Sequence, residues 1–452
     1  FFNNRKFDLG KIGRYQINKK LGTEYPLDTD HCKLYLEDII LIIKRIIEIN
    51  NGTKPADDID NLANRRIRSV GEILVDQLRI GVRRVEKNIK DKMSMYGEDA
   101  KLTPAMLVST KPISASILSF FGQNQLSSFM EQVNILSEVE NKRKITASGP
   151  GGILKERAPF SLREVHHSQY SRFCPVTSPE SQSIGVVTQL ASYARINDFG
   201  FLEAPYKKVA QTAKNDGKSA VNRIVAEDLV VNKKVVVKSG AMIDEKSAKA
   251  LMANKEMKEI PVSSYITDEV VYIDAAVEEE SHVGMSTISR DDFGNITELL
   301  APMKYHGEFL LQDVRQLNFV DISPFQSAGL GMALIPFVAN DDAKRALMGS
   351  NQQRQAVPLI RQEAPVVGTG FEEVVARQSN WGIFAEDDGV VEYVDGNIVS
   401  VKYKKLGIKD YHIVKFERSN HDTAFSQYPR VSVGQKVAKD DLLADGPCMV
   451  DG

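Results

Sequence analysis

Cysteine is scarce in this sequence: its 452 residues include only Cys32, Cys174 and Cys448. The three lie far apart and form no C-x-x-C pair, so the sequence indicates neither a disulfide framework nor a zinc site. Sparse, unpaired cysteine is typical of proteins in a reducing compartment inside the cell. The small disulfide-stabilised secreted classes are therefore excluded.

Net charge is also low, at −2, so nucleic-acid binding cannot be inferred from the whole chain and has to rest on local clusters. No uncharged apolar run reaches the roughly eighteen residues that span a bilayer. The most aliphatic stretch, Ile39–Ile49, contains three charged residues and predicts a buried helix instead. No signal peptide is visible at the start. We expect no membrane association, and because Phe1 is not an initiator methionine we expect a piece of a longer subunit.

The composition is that of an ordinary soluble protein, 42% apolar and 26% charged, and the length allows two to four domains. Helical spacing dominates the first part of the chain, and short β-rich pieces follow Pro205. Two β-hairpins are predicted, one turning at Asn232–Lys233 and one at Asp395–Gly396. These patterns predict an α+β fold of several domains, with mixed helical and β-rich subdomains.

The stretch from Phe120 to Val187 is the most distinctive. Basic residues at 142–144, 155 and 157 flank the glycine-rich run at 149–152. Backbone N–H groups of such a run suit phosphate oxygens, and basic side chains would complete an anion-binding surface. A solvated charged loop is the alternative interpretation. A Walker-type NTPase is not indicated, because G-x-x-x-x-G-K-[ST] is absent.

This stretch resembles the fork region of the β subunit of bacterial-type DNA-dependent RNA polymerase, which contains the rifamycin pocket. The matching words are FFG-x-x-QLS-x-FM, LSE-x-x-x-KR, GPGG-x-x-x-ERA and CP-x-x-x-PE. By resemblance the chain divides into 1–70 (end of lobe and start of fork), 71–127 (part of the protrusion), 128–205 (fork with the rifamycin-pocket segment), 206–325 (β-rich external domain), 326–365 (active-centre element) and 366–452 (start of the hybrid-binding domain). Residues 210–262 match weakly and are interpreted as a lineage-specific elaboration.

A long amphipathic helix is predicted after the word NRRIRSVGE, with one apolar face formed by Leu74, Leu78, Val82, Val85 and Ile89. From Arg65 to Lys92 nine basic and four acidic residues leave a local balance of +5. Such stripes are most often solvated helix faces. In the family this segment lies near the RNA–DNA hybrid, so the resemblance implies nucleic-acid contacts by Arg65, Arg68, Arg143, Lys144 and Arg157.

The word DDA-x-RALMG-x-N-x-QRQAVP predicts a helix capped by Asp341 or Asp342, with Arg345, Gln352 and Gln355 exposed and Leu347 and Met348 buried. In the family this element lines the active-centre cleft. The resemblance assigns Arg345 to the triphosphate of the incoming nucleotide, because a guanidinium matches phosphate geometry. Glu180, Asn351 and Gln355 are expected beside it.

The rifamycin pocket implied by the resemblance consists of nine residues: Gln125, Leu126, Phe129, Glu131, Asn141, Lys144, Thr146, Ser148 and Pro179. The family commonly has Asp at position 131, His at 141, Arg at 144, Ser at 146 and Leu at 148. The loop after Cys174 departs from the family too, at Thr177, Ser181 and Ser183. Because Thr146 adds a methyl group to the pocket and Asn141 removes an imidazole ring, we expect reduced rifamycin sensitivity in the parent enzyme.

No D-x-D-x-D loop is present. In the family that loop, on the β′ subunit, holds the catalytic Mg²⁺, so no catalytic or metal-binding residue is assigned here. His166 and His167 are adjacent, and adjacent side chains on a strand or loop point apart, so structural roles are expected.

The implied function is template-directed RNA synthesis by the assembled enzyme, in which this segment positions the hybrid and the incoming nucleotide. The implied partners are DNA template, RNA transcript, ribonucleoside triphosphates, the β′, α and ω subunits and sigma factor, in the cytoplasm at the nucleoid. The alternative is a non-catalytic nucleic-acid-binding scaffold derived from the same fold. Loss of Arg345, Lys144 and Glu180 would favour that alternative, and all three are present.

Overall fold

A computed structural model of the chain describes residue 2 and residues 7–96, 103–231, 234–252 and 257–452. Helices dominate up to residue 142, a large sheet and its satellites follow, and small sheets form the last part. This arrangement confirms the predicted α+β class with mixed helical and β-rich subdomains.

Two helices begin the described chain, α1 (Gly10–Leu21) and α2 (Leu36–Asn50). A fully buried ion pair joins them, with Arg14 Nη2 at 2.8 Å from Asp38 Oδ2. The predicted buried helix is indeed helical, but four side chains on its outer face are 52–65% exposed: Leu36, Ile40, Ile43 and Ile47. The prediction of burial is therefore wrong, since α1 covers only the opposite side of α2.

The predicted long amphipathic helix is α3 (Val70–Tyr96), and it lies along α5 (Lys111–Gln123) after the short α4 (Pro104–Leu107). Its predicted apolar face is half-buried except at Val82, which is 53% exposed. The closest approach is at Gly81, where a Cβ would lie 3.2 Å from the Ile113 Cα. The missing side chain allows the two helices to pack closely.

The segment Pro104–Gln123 has the length and apolar composition of a membrane-spanning helix. The prediction that no uncharged run is long enough to span a bilayer still holds, but only because Lys111 lies within this segment. Val108, between α4 and α5, has extended backbone (φ −84°, ψ 127°). This break, together with the packing of α5 on α3, distinguishes the segment from a continuous spanning helix.

The next elements are α6 (Ile135–Lys142), β1 (Lys144–Thr146), α7 (Phe160–Arg163) and β2 (Val187–Gln189). Asn134 begins α6 with a reciprocal cap: its side chain accepts from Ser137 N at 2.8 Å, and its N–H donates to Ser137 Oγ at 3.1 Å. β1 pairs antiparallel with β2, Lys144 opposite Gln189. This pairing brings the loop 174–185 alongside residues 144–149.

The largest sheet has the order β10-β9-β8-β11-β4-β3, and β7 pairs with β4. Its elements and satellites are β3 (Arg195–Ile196), β4 (Leu202–Lys214), β5 (Leu229–Val231), β6 (Lys234–Val237), α8 (Glu245–Met252), β7 (Glu259–Asp274), α9 (Ala275–Glu279), β8 (Val283–Gly284), β9 (Leu300–Tyr305), β10 (Glu308–Asp313) and β11 (Phe319–Asp321). β5 and β6 are antiparallel, in agreement with the predicted hairpin, whose turn residues 232–233 lie outside the described residues.

Three helices follow the large sheet: α10 (Leu330–Ala333), α11 (Ala343–Gln355) and α12 (Glu372–Gln378). α11 packs on α10 and α6, while α12 contacts α6. Gly331 permits this close packing, because a Cβ there would lie 3.4 Å from the Ser350 Cβ and 2.7 Å from Glu140 Oε1. The arrangement fixes α11 against the start of the fork.

The last strands are β12 (Ile383–Phe384), β13 (Gly389–Val394), β14 (Ile398–Tyr403), β15 (Gly407–His412), β16 (Glu417–Arg418), β17 (Ala424–Phe425), β18 (Tyr428–Pro429), β19 (Lys436–Val437) and β20 (Leu442–Asp445). β13 and β14 form the predicted hairpin around Asp395–Gly396. Asp395 Oδ1 accepts from Asn397 N and Ile398 N, both at 2.7 Å. A turn closed by an aspartate in this way is the one expected from the sequence.

Candidate functional site

A cavity of about 410 Å³ lies where the start of the fork, the loop 174–185, α11 and the loop 419–423 meet. The polar and charged residues among those that line it are Glu131, Ser137, Lys144, Ser178, Gln189, Asn351, Arg354, Gln355 and His421. Four segments distant in sequence thus place charged and amide groups around one concave surface. This is the kind of surface on which a polar ligand is oriented by several side chains.

α11 carries the predicted nucleotide-contacting residues. Asp342 caps it, accepting from Lys344 N at 3.2 Å, as predicted for one of the two aspartates. Arg345 is exposed, and no carboxylate among the described residues forms an ion pair with it. Its Nη1 lies 3.5 Å from Met348 Sδ, one turn later on the same helix. Its guanidinium is therefore available to an anionic ligand.

The predicted exposure of Gln352 and Gln355 on α11 is confirmed, but Leu347 and Met348 are only half-buried. The buried positions of the helix are the small or polar Ala346, Ser350 and Asn351. α11 lies so close to α10 that small side chains fit this interface better than large ones. The prediction that Leu347 and Met348 are buried is therefore wrong.

Three of the four predicted nucleotide-binding residues lie close together. Asn351 Nδ2 donates to Glu180 Oε1 at 3.0 Å and to the Ser178 carbonyl at 3.3 Å. Gln355 follows one turn later and lines the same cavity. Arg345 lies six residues before Asn351, about 9 Å earlier along the helix axis and roughly a third of a turn around it. It flanks the cavity instead of lining it.

Sequence reasoning missed Arg354, the residue that connects this cluster. Its Nη2 donates to Asn351 Oδ1. Its Nε lies 3.1 Å from Glu140 Oε2, and its Nη1 lies 3.8 Å from Glu131 Oε2. Burial raises the pKa of Glu140, and the nearby Arg354 opposes that rise. No local sequence pattern predicts this cluster, because Glu131 and Glu140 lie more than two hundred residues before Arg354 in the chain.

The loop 419–423, also missed, closes the cavity from the side of the last sheets. His421 Nδ1 accepts from Gln132 N at 3.2 Å, and Asn420 Nδ2 donates to the Met130 carbonyl at 3.1 Å. Thr423 Oγ1 donates to the Val133 carbonyl at 3.0 Å. These bonds connect the C-terminal part of the chain to the segment that carries Glu131.

The loop after Cys174 has well-defined contacts despite its unusual residues. Thr177 is 2% exposed, and its N–H donates to Cys174 Sγ at 3.3 Å. Ser178 Oγ donates to the Val187 carbonyl at 3.2 Å and accepts from Gly185 N at 3.1 Å. These bonds support the backbone on which Glu180 is carried.

The five predicted nucleic-acid contacts have different surroundings. Arg157 is exposed and Arg65 half-buried, and neither has an ion-pair partner among the described residues. Arg68 Nη2 lies 2.7 Å from Asp76 Oδ2, and Lys144 Nζ lies 2.8 Å from Glu131 Oε1. Arg143 differs: its Nη2 donates to the Ala191 and Ser192 carbonyls. Burial lowers the pKa of Arg143, whose guanidinium is held inside the fold.

The assignment of Arg143 to nucleic-acid contact therefore does not fit the structure. Its side chain bridges the end of α6 to the chain beyond β2, which is a structural role. The physical reason is that a guanidinium satisfied by backbone carbonyls would have to break those bonds to reach a phosphate. The basic stripe of α3 is different, since Arg83 and Lys87 are exposed and have no ion-pair partner among the residues that the structure describes.

Three protein-family models match parts of this chain. The model of the RNA polymerase Rpb2 domain 2 matches residues 1–68, and that of Rpb2 domain 3 matches 128–196. The model of the RNA polymerase beta subunit external 1 domain matches residues 258–323. The second of these matches covers the fork and the loop that carries Glu180.

Curated relatives match nearly the whole chain. The DNA-directed RNA polymerase subunit beta of Dehalococcoides mccartyi (strain BAV1) is 39% identical over 452 residues, which is 100% of this chain. Those of Rhizobium meliloti and of Geobacter sp. (strain M21) are 40% and 41% identical over 99% of it. The chain belongs to the β-subunit family of DNA-directed RNA polymerases.

This β-subunit segment spans 29–35% of the length of the three relatives. The three family models leave residues 197–257 unmatched, a range that includes most of the weakly matching stretch. In the structure that stretch has a core of its own, in which Ile243, Leu251 and Ile260 are fully buried.

The nine residues of the implied rifamycin pocket divide into three groups. Glu131, Lys144 and Pro179 line the cavity. Gln125 is exposed and Phe129 is 91% exposed. Leu126 packs against Gly149, so closely that a Cβ on Gly149 would lie 2.8 Å from the Leu126 Cδ2. The other three sit on or near β1, where Thr146 Oγ1 is 2.8 Å from Ser148 Oγ and Asn141 is half-buried at the end of α6. The segment 125–129 therefore leaves one side of this surface open.

The two adjacent histidines have structural contacts. His166 Nε2 is 2.8 Å from Asp58 Oδ2, and its Nδ1 is 2.7 Å from Ser168 Oγ. His167 Nε2 is 3.6 Å from Glu279 Oε1. Their rings do not point apart as expected, since the centroids are 4.1 Å apart. A short 3₁₀ turn begins at His167 and folds the two rings together.

Among the described ranges, no three His, Cys, Asp or Glu side chains are arranged to hold a metal ion. No step of the reaction is assigned to a metal held by this segment.

Proposed function

We propose that this segment works in template-directed RNA synthesis by the assembled polymerase, where it positions the incoming ribonucleoside triphosphate and the RNA–DNA hybrid. The observation that carries the proposal is the hydrogen bond from Asn351 to Glu180 beside the cavity that Asn351 and Gln355 line. The guanidinium of Arg345, which has no ion-pair partner among the described residues, lies on the same helix. A guanidinium offers paired donors to phosphate oxygens, while amide and carboxylate groups suit the hydroxyls and amines of a nucleoside.

The contribution of these residues is binding and orientation. Holding the triphosphate in one geometry lowers the entropic part of the barrier, and a fixed positive charge stabilises developing negative charge. When bound, Mg²⁺ supplies charge stabilisation at the attacking and leaving oxygens. We propose that the partner β′ subunit holds it.

The nucleic-acid path is proposed to follow the exposed basic residues. Arg157 and the α3 residues Arg83 and Lys87 are exposed, Arg65 is half-buried, and none of the four has an ion-pair partner among the described residues. Lys144 forms an ion pair with Glu131 at the cavity wall. Such residues bind the phosphate backbone without reading sequence, as a polymerase that copies any template requires. The proposed macromolecular partners are template DNA, the transcript, the β′, α and ω subunits and sigma factor, at the nucleoid in the cytoplasm.

The test is Arg345→Ala in the enzyme assembled from the full-length subunit, with Lys344→Ala as the matched control. Lys344 is the exposed neighbour on the same helix. Loss of a charge-assisted hydrogen bond to phosphate is expected to raise the KM for nucleotide roughly tenfold or more. An unchanged KM and rate for Arg345→Ala would contradict the proposal. Binding of nucleic acid without RNA synthesis by the unmodified assembled enzyme would favour the alternative, a non-catalytic nucleic-acid-binding scaffold.

A further inference from the structure

Arg354 occupies a central position at the cavity although no nucleotide or nucleic-acid role is assigned to it. Its side chain is 16% exposed. Two carboxylates from outside α11 hold the guanidinium, Glu140 on α6 and Glu131 in the preceding segment. Glu140 is itself fixed, because its Oε1 accepts from Gly331 N at 2.8 Å. The guanidinium is therefore anchored to α6 and α10 before it reaches Asn351.

The contact of Arg354 with Asn351 has a chemical consequence. A guanidinium only donates hydrogen bonds, whereas an amide side chain has one accepting and one donating end. The end of Asn351 that faces Arg354 must therefore be Oδ1, which directs Nδ2 toward the Ser178 carbonyl and Glu180 Oε1. A flipped amide would set donors against the guanidinium and an oxygen against two acceptors.

Glu180 depends on this orientation. It is exposed on the loop 174–185, and among the described residues its one side-chain hydrogen bond is the 3.0 Å bond from Asn351. The Ser178 carbonyl, two residues earlier, accepts from the same amide. A single correctly oriented amide thus docks the loop onto α11.

We propose that Arg354 is a positioning residue that fixes the amide of Asn351 and, through it, holds Glu180 at the nucleotide site. This inference rests on the proposed function. Arg354 need not touch the nucleotide, since its effect passes through Asn351. It follows that a change at Arg354 alters nucleotide binding only while Asn351 is present.

The principal variant is Arg354→Lys, because lysine keeps a positive charge beside Glu140 but lacks the planar fork that reaches Asn351 at the same time. It is compared with Asn351→Ala and with the double variant, in the polymerase assembled from the full-length subunit. Single-nucleotide incorporation on a defined template gives KM and kcat for each. Arg377→Lys is the matched control, an Arg on α12 whose Nε pairs with Glu373 at 3.0 Å.

Arg354→Lys and Asn351→Ala are each expected to raise KM by about tenfold, the loss of one charge-assisted hydrogen bond, with a smaller change in kcat. The double variant is expected to be no worse than Asn351→Ala, because residues that act through one another are not additive. Arg377→Lys is expected to match the unmodified enzyme.

A charge-swap pair distinguishes positioning from general stability. Asn351→Asp keeps an acceptor for Arg354 but sets a carboxylate against Glu180, so KM is expected to rise. Adding Glu180→Gln restores a donor opposite that carboxylate, and KM is expected to fall back at least severalfold. This pair tests the second step of the proposal, the contact between Asn351 and Glu180, and it can be measured even if Arg354→Lys fails to assemble.

Multiplicative effects of Arg354→Lys and Asn351→Ala on KM, an unchanged KM for Arg354→Lys, or failure of the rescue would each overturn the positioning role. None of these results removes the nucleotide site itself. An unchanged KM for Asn351→Ala would instead overturn the assignment of this amide to the nucleotide site, whatever Arg354 does. The two failures are therefore distinguishable.

Discussion

Replacement of Arg172 by glutamine tests how the fork is attached to the large sheet. The Arg172 side chain is fully buried, and its Nη1 donates to Glu278 Oε2. Its other bonds go to backbone carbonyls: those of Leu202 on β4, at 3.2 Å, and Ile273 on β7, at 3.0 Å, belong to the large sheet. Those of Ser168 and Tyr170 belong to the segment before the sheet. Burial alone would raise the pKa of Glu278, but Arg172 and Lys304 outweigh burial and hold it below the ordinary value.

Arg172→Gln leaves Glu278 buried with one cation, Lys304 Nζ at 2.5 Å from its Oε1. Removing one partner of a buried ion pair costs about 3–5 kcal/mol, because the remaining charge and the carbonyls stay out of water. The matched control is Arg195→Gln on the same sheet. In its pair with Glu203, at 2.9 Å, the Arg195 side chain is 55% exposed and the Glu203 side chain 16%. A pair with one solvated partner contributes far less than a buried one, on the order of 1 kcal/mol.

Hydrogen exchange measured by mass spectrometry on the assembled enzyme reports the local opening free energy of β4 and β7. A loss of about 3 kcal/mol corresponds to exchange more than about 100-fold faster in those strands. The control is expected to change exchange by less than about tenfold. Equal protection in Arg172→Gln and Arg195→Gln would refute the conclusion that this ion pair attaches the fork to the sheet.

Three further predictions concern other parts of the chain. Burial raises the pKa of Asp321 to about 7, so its contribution to stability is present at low pH and is lost as the pH rises through about 7. Asp321→Asn is expected to flatten this loss of stability with rising pH. An unchanged pH profile of hydrogen exchange in β11 would contradict this prediction. Lys144→Ala in the assembled enzyme is expected to release the hybrid at lower salt, because fewer phosphate contacts remain, and an unchanged salt midpoint of elongation complexes would return Lys144 to the interpretation of a solvated loop. Thr146 adds a methyl group to the proposed rifamycin surface, where overpacking costs about 1–3 kcal/mol, so the parent enzyme is expected to be less sensitive than typical relatives and Thr146→Ser to increase sensitivity; inhibition at the usual potency of the family would contradict this.

Local patterns predicted the elements that local physics determines. The Asp342 cap and the exposed face of α11 follow from capping chemistry and helical period, and the hairpin at Asp395–Gly396 follows from turn chemistry. The resemblance brought Glu180 and Asn351 together before any geometry was known, and the structure joins them at 3.0 Å.

What the sequence did not predict depends on contacts between distant residues. Arg354 is one of several basic residues in its region, and only its position between Glu131 and Glu140 distinguishes it. Arg143 was assigned to nucleic acid by the resemblance, but its guanidinium donates to the Ala191 and Ser192 carbonyls instead. The aliphatic stretch of α2 was expected to be buried, but the outer face of the helix is exposed. Composition shows that a helix is apolar and does not show what covers it.

The most direct test of the nucleotide site is photocrosslinking of a ribonucleoside triphosphate bearing a photoreactive group to the assembled polymerase. The crosslinked peptide is then mapped by mass spectrometry. Adducts are expected within α11 or the loop 174–185, competed by unmodified nucleotide and reduced by Asn351→Ala. Adducts confined to other parts of the enzyme, with these two segments unlabelled from every reactive position tried, would contradict this expectation.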